Sequence, residues 1–143
     1  MTHPNADLLE AVNVLLLPRV GHLGLQIVDH QEGGSFDNAT VTLTGLNVRV
    51  RVYRERGIVH MEVASTHSPH AWMDSAVVME YFALSREGGF HGTSLSVVID
   101  GIGSFLNSSW DELNRIFDQA SFRETNRALE SVRTEQSVRR WGC

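Results

Sequence analysis

Lysine is absent from this chain: all 12 basic residues are Arg. Arg presents a rigid planar fork suited to paired and interfacial positions, although the base composition of a gene is enough to produce the same bias. Cysteine is nearly absent too. Cys143 stands alone, so neither an internal disulfide nor a Cys-based metal site can be built. No apolar run reaches the roughly 18 residues a membrane helix needs, and no basic stretch leads into an apolar run and a small-residue cleavage site. A soluble, cytoplasmic protein without a membrane partner is expected. Positive charge is in deficit, with a formal net charge of -5 and a pI near 5.7. Nucleic-acid binders usually carry a basic patch and a high pI, so the phosphate backbone is not an expected partner. The 143 residues predict a single domain spanning 1–143, long enough to bury roughly 68–70% of its unfolded surface.

What the chain does have is a run of alternation from Ala39 to Ala64. In Thr40-Val41-Thr42-Leu43-Thr44 and Val48-Arg49-Val50-Arg51-Val52-Tyr53, apolar and polar residues alternate with the period of a half-buried strand. Ile58-Val59-His60-Met61-Glu62-Val63 repeats the pattern. Gly45-Leu46 reads as a two-residue hairpin loop, and Arg54-Glu55-Arg56-Gly57 as the second turn. Counting outward from these turns sets Leu43 opposite Val48 and Val41 opposite Val50. It also sets Val52 opposite Val59, Val50 opposite Met61, Val48 opposite Val63 and Arg49 opposite Glu62. All apolar partners then share one face. Thr40, Thr42, Arg49, Arg51, His60 and Glu62 share the other.

On the N-terminal side, Leu8, Leu9, Val12, Leu15 and Leu16 predict a helix over 6–17 with Asn5 or Asp7 near its start, closed by Pro18. Leu23 to Val28 reads as a first strand, and Gly33-Gly34-Ser35 as the loop that brings Phe36 to the meander. On the C-terminal side, 66–70 reads as a connector. Trp72, Val77, Val78, Tyr81, Phe82 and Leu84 fit one face of a helix ending before Gly88-Gly89. Leu95, Val98, Ile99, Ile102, Phe105 and Leu106 repeat at helical spacing, against the cost of Gly101 and Gly103, about 1 kcal/mol each. Ser109-Trp110-Asp111-Glu112 and Ser121-Phe122-Arg123-Glu124 have the form of capping boxes that open two last helices. The expectation is an α+β two-layer domain: a four-stranded, mainly antiparallel sheet with an N-terminal helix and C-terminal helices packed on its dry face.

Catalytic patterns are missing. Ser94 and Ser96 lie in no nucleophile elbow, Gly101-Ile102-Gly103 is a fragment of a dinucleotide fingerprint with no strand before it, and Asp111-Glu112 suits a helix first turn. Seven histidines are present, and His60, His67 and His70 lie near Asp74. However, His60 belongs to the sheet, while His67 and His70 belong to a loop. His60-Met61-Glu62 matches the deaminase H-x-E only in letters, since no P-C-x-x-C follows. Neither a catalytic set, a cofactor motif nor a native metal site is expected. Trp72 and Trp110, placed at helix starts, read as packing residues; Trp141 suits either docking onto the domain or a partner contact.

The order of elements nevertheless resembles a known group. An amphipathic helix, a strand, a Gly-rich loop with Phe36 and the Val48–Tyr53 hairpin strand come first. Arg56-Gly57, the Ile58–Val63 strand and a Trp72-led helix follow. Then come Trp110-Asp-Glu-Leu113, Ile116-Phe117, the Thr125/Leu129 helix and Arg139-Arg140-Trp141-Gly142. This arrangement resembles small bacterial immunity proteins of polymorphic-toxin and contact-dependent growth inhibition systems. The resemblance implies a non-enzymatic inhibitor that binds the C-terminal domain of a cognate toxin in the cytoplasm. It carries over no contact residues. From the residues themselves, the expected interface is Arg49, Arg51, His60 and Glu62 on the polar sheet face together with His67, His70 and Asp74. Two other readings remain. One is a small ligand-binding domain or enzyme working at His60, Glu62 and Arg49. The other is a homodimer formed by edge pairing of the first strand.

Overall fold

In a computed structural model, described for residues 8–32, 38–82 and 90–141 (the side chains of 91, 140 and 141 excepted), the chain is α+β with an antiparallel sheet. The Gly33–Gly34–Ser35 loop, Phe36, Leu84, Gly88-Gly89, Gly142, Cys143 and the expected helix start at Asn5–Asp7 lie outside the described residues.

The sheet follows the meander order β1 (Gln26–Glu32), β2 (Ala39–Thr44), β3 (Val48–Glu55), β4 (Ile58–Ser65). Four strands were expected; two more pair with the outer edge of β4. These are β5 (Met73–Asp74), opposite Glu62 and Val63, and β6 (His91–Gly92), opposite Val59 and His60. Each is two residues long, too short to leave a periodic signal. The first strand also starts later than Leu23, because Gly21–Leu23 forms a tight helical turn closed by Gly24 in the left-handed region, φ +87°.

The faces are as the alternation dictates, but the register is not. Leu43 pairs with Val50, Val41 with Val52, Val50 with Val63 and Val52 with Met61. Each pairing is displaced by two residues, so Arg51, rather than Arg49, stands opposite Glu62. The turns explain it. The first hairpin closes through a Gly45 N–H to Val48 O bond of 2.8 Å, which makes Leu46-Asn47 the loop. Gly45 does not adopt a positive φ. It is needed for space instead, since a Cβ there would lie 2.8 Å from Trp110 Cζ2. The Asn47 N–H donates to Asn114 Oδ1 (3.1 Å) and Asn47 Nδ2 to the Asn114 carbonyl (3.3 Å), tying the loop to a distant helix. The second hairpin turns on Arg56 and Gly57 alone, with φ +53° and +80°, the two left-handed residues of a type I′ turn.

Val41, Leu43, Val48, Val50, Val52, Val59, Met61 and Val63 are all buried and form one core with the helices. The N-terminal helical run consists of α1 (Leu8–Ala11), a π-helical turn (Val12–Leu16) and α2 (Leu17–Val20). Pro18 does not close it. Proline lacks an N–H and crowds the carbonyl one turn back, and the wider π turn immediately before it accommodates that defect within the helix. α3 (Ser75–Tyr81) is capped by Asp74, whose Oδ1 accepts the Ala76 N–H at 2.8 Å, so Trp72 lies outside it rather than at its head.

α4 (Leu95–Ile116) runs unbroken through Gly101, Gly103 and Ser109. Its buried stripe of Val98, Ile99, Ile102, Phe105, Leu106, Trp110, Leu113 and Ile116 never leaves one face. A start at Ser109 would have broken that stripe, so continuous burial outweighs the letters of the capping box. α5 (Phe122–Trp141) begins directly after Ser121, where the second box placed it. Buried Ser65 joins the sheet to the corner between α4 and α5: its Oγ donates to the Phe117 carbonyl (2.6 Å) and accepts the His67 N–H (3.0 Å).

Candidate functional site

On the polar face, register places side chains in cross-strand rows. One row runs Asp29, Thr42, Arg51, Glu62, Asp74; the next contains Thr40, Tyr53 and His60. Arg49 falls in a third row between Thr44 and Ala64, with no acid beside it.

Arg51 is ion-paired to Glu62 across β3 and β4. Its Nε donates to Glu62 Oε1 at 2.9 Å, and an Nη donates to the same oxygen. The two side chains retain 31% and 17% of their exposure. An open surface pair is worth about 0.2–1 kcal/mol, and the partial burial here adds both attraction and desolvation cost. Trp72 supplies the aromatic platform. The Arg51 guanidinium lies 4.4 Å from its ring centroid and that of Arg49 lies 5.1 Å away. Two cations thus share one indole, an arrangement favoured by the ring quadrupole. Arg49 Nη1 also donates to the Pro69 carbonyl at 2.6 Å, which holds the 66–72 connector beside the sheet. Beyond Arg51, Tyr53 stacks flat on His60 with centroids 4.9 Å apart and planes 14° apart.

Five of the seven expected interface residues therefore come together: Arg49, Arg51, His60, Glu62 and Asp74. His67 does not join them. Its Nε2 bonds Asn47 Oδ1 at 3.1 Å and its ring lies 5.8 Å from Phe122, at the corner where the first hairpin loop meets α5. His70 is exposed in the connector. Asp74 has a second task as the α3 cap. Trp72 and Tyr53 are the members that sequence reasoning left out. Tyr53 could have been found, because it continues the Arg49, Arg51 alternation. Trp72 could not, since its spacing fitted a helix.

Burial pushes the Tyr53 phenol up to about 12, with the Glu62 and Asp74 carboxylates acting in the same direction and Arg51 against them. The folded state therefore holds this proton through the range above 10.0 in which an unfolded tyrosine loses it. The stabilisation is present in full below that point and is lost as pH rises through about 12. In a spectroscopic phenolate titration, wild type should show one tyrosine ionising near 12, and Tyr53→Phe should lack that step. A complete titration by pH 11 would contradict the burial assigned to this ring.

A cleft of about 360 Å3 opens at the Tyr53 end, lined by Gln31, Glu32, Asn38, Thr40 and Glu55 among others; neither His60 nor Glu62 lines it. Among the described residues, no three His, Cys, Asp or Glu side chains converge as a metal site would require. No helix among them is long and apolar enough to cross a membrane. No family profile, curated protein or solved structure matches the chain.

Proposed function

We propose that this chain is an immunity protein that binds and neutralises the C-terminal domain of a cognate bacterial toxin in the cytoplasm, with the polar sheet face as the contact surface. The observation that carries the reading is Trp72 with Arg49 and Arg51 on its ring, beside Tyr53. Trp, Tyr and Arg are the residue types that dominate interface energetics, because each buries a large rigid area and keeps a polar handle. Here they are already ordered by Glu62, Pro69 and His60, so binding need not freeze them. The order of elements, which resembles that of toxin-system immunity proteins, supports the same reading. A net charge of -5 suits steering onto a basic toxin domain such as a nuclease, whose substrate groove the bound inhibitor would block.

The test is co-purification of the tagged chain with the C-terminal domain of any large secreted protein encoded immediately upstream, scored with that domain's toxicity. A stable one-to-one complex that abolishes toxicity is the expected result. Absence of a complex, with toxicity unchanged by co-expression, would overturn the reading.

A further inference from the structure

The two guanidiniums on Trp72 differ in one respect. Arg51 is neutralised inside the chain, with its Nε and an Nη on the same Glu62 oxygen. Arg49 has no ion pair among the described residues. Its cross-strand neighbours are Thr44 and Ala64, and its one hydrogen bond among those residues runs from Nη1 to the Pro69 carbonyl at 2.6 Å.

Two contacts fix where its remaining donors lie. The indole of Trp72 takes a face of the guanidinium, with Cζ 5.1 Å from the ring centroid, and Pro69 takes the Nη1 corner. Stacking leaves the rim of the planar group open, so the Nε–Nη2 edge keeps its N–H groups uncommitted. That edge is one of the forks that can hold both oxygens of a carboxylate at once.

We infer that Arg49 receives a carboxylate, the side chain of an Asp or Glu on the toxin domain, in a bidentate pair at the contact. The inference rests on the reading of this face as the toxin-binding surface and names the group that the surface takes. Arg49 is already half-buried. Covering it strips away its remaining water, at a cost that only a new acceptor offsets. Arg51 makes no such demand, because Glu62 has met it. The stacking on Trp72 also holds Arg49 in place before the partner arrives, which lowers the entropy lost on binding.

The neighbouring row decides which anion fits. Asp29, Glu62 and Asp74 share the row of Arg51, and successive rows on one sheet face lie about 7 Å apart along the strand. At that range they repel a phosphate dianion about twice as strongly as a singly charged carboxylate. A chain of net charge -5 can still be steered onto a basic domain and then anchored by one of its acids. Steering sums the whole molecule, whereas a contact pair is set by its nearest groups.

Isothermal titration of the full chain with the toxin domain tests this as a double-mutant cycle. Arg49→Gln should raise Kd by about tenfold or more, and Arg49→Lys, which keeps the charge but not the fork, by a smaller factor. Each Asp and Glu of the toxin domain is changed in turn to its amide. One of these variants should bind wild type about tenfold more weakly, yet bind Arg49→Gln with a further loss of less than about twofold. A purely structural effect, through the Pro69 bond, would leave the two losses additive for every toxin variant. Additivity across the whole panel overturns the inference, and so does Arg49→Gln binding within about twofold of wild type. In both cases the complex, and with it the inhibitory reading, stands. Absence of any complex with wild type overturns the two together.

Discussion

Trp72→Ala should weaken binding of the toxin domain by about 2 kcal/mol or more, roughly 30-fold in Kd, while changing the melting temperature little. The indole is the common support of Arg49 and Arg51. Without it both guanidiniums lose their stacking partner and regain rotamer freedom, which binding must then remove. The fold should tolerate the loss, because Trp72 is only half-buried and is not among the residues of the hydrophobic core. Arg51→Lys is the useful comparator. It keeps the charge but loses the planar fork that both stacks on Trp72 and reaches Glu62 with two nitrogens. An intermediate loss of affinity is expected. Should wild type bind and Trp72→Ala bind equally well, the contact surface lies elsewhere although the inhibitory role stands.

The largest expected effect on stability is at Trp110. This side chain is 9% exposed and packs against the first hairpin at Gly45. Trp110→Ala should cost about 3–5 kcal/mol, as deletion of a buried aromatic does. Gly45→Ala in the wild-type background should cost about 1–3 kcal/mol. Its new Cβ would meet Trp110 Cζ2 at 2.8 Å and Cη2 at 3.0 Å, atoms of a ring that cannot yield as a flexible chain end does. The two changes should not add. Once Trp110 is an alanine the space beside Gly45 is open, and the second substitution should cost little. Urea denaturation of the four proteins measures the coupling, and additivity within about 0.5 kcal/mol would refute the steric account of Gly45.

How far the structure was legible in the sequence follows from the range of each cause. Which face each of Val41 to Val63 would occupy depended only on alternation, a local signal that survives a register error of two. The register itself depended on Asn47 meeting Asn114 and Gly45 meeting Trp110, contacts that no window around the hairpin contains. The Arg51–Glu62 pair was misassigned to Arg49 for a separate reason, a four-residue turn read where Arg56 and Gly57 alone make the turn between β3 and β4, although all three were placed on the correct face. Helix ends behaved likewise. The second box marked the start of α5 correctly, although Asp118 rather than Glu124 takes the Ser121 N–H, at 2.8 Å. At Ser109 the same letters sit inside an unbroken apolar stripe, and the stripe prevailed. Within the candidate site, the strand residues were legible. Trp72 reached the sheet through a non-helical connector that Arg49 holds beside it through the Pro69 carbonyl, which periodicity could not show.

That hairpin also has a kinetic consequence. Taken alone, β2 and β3 bury the same valines and Leu43 in either of two registers related by a slip of two residues, so local energetics discriminate weakly between them. The discriminating bonds join positions 67 apart in the chain. Contacts that far apart cost more loop-closure entropy than a local hairpin does before they contribute any stability. The strands can therefore form early in both registers, and the docking of α4 is the event that selects one, with the displaced population obliged to unzip before it can proceed.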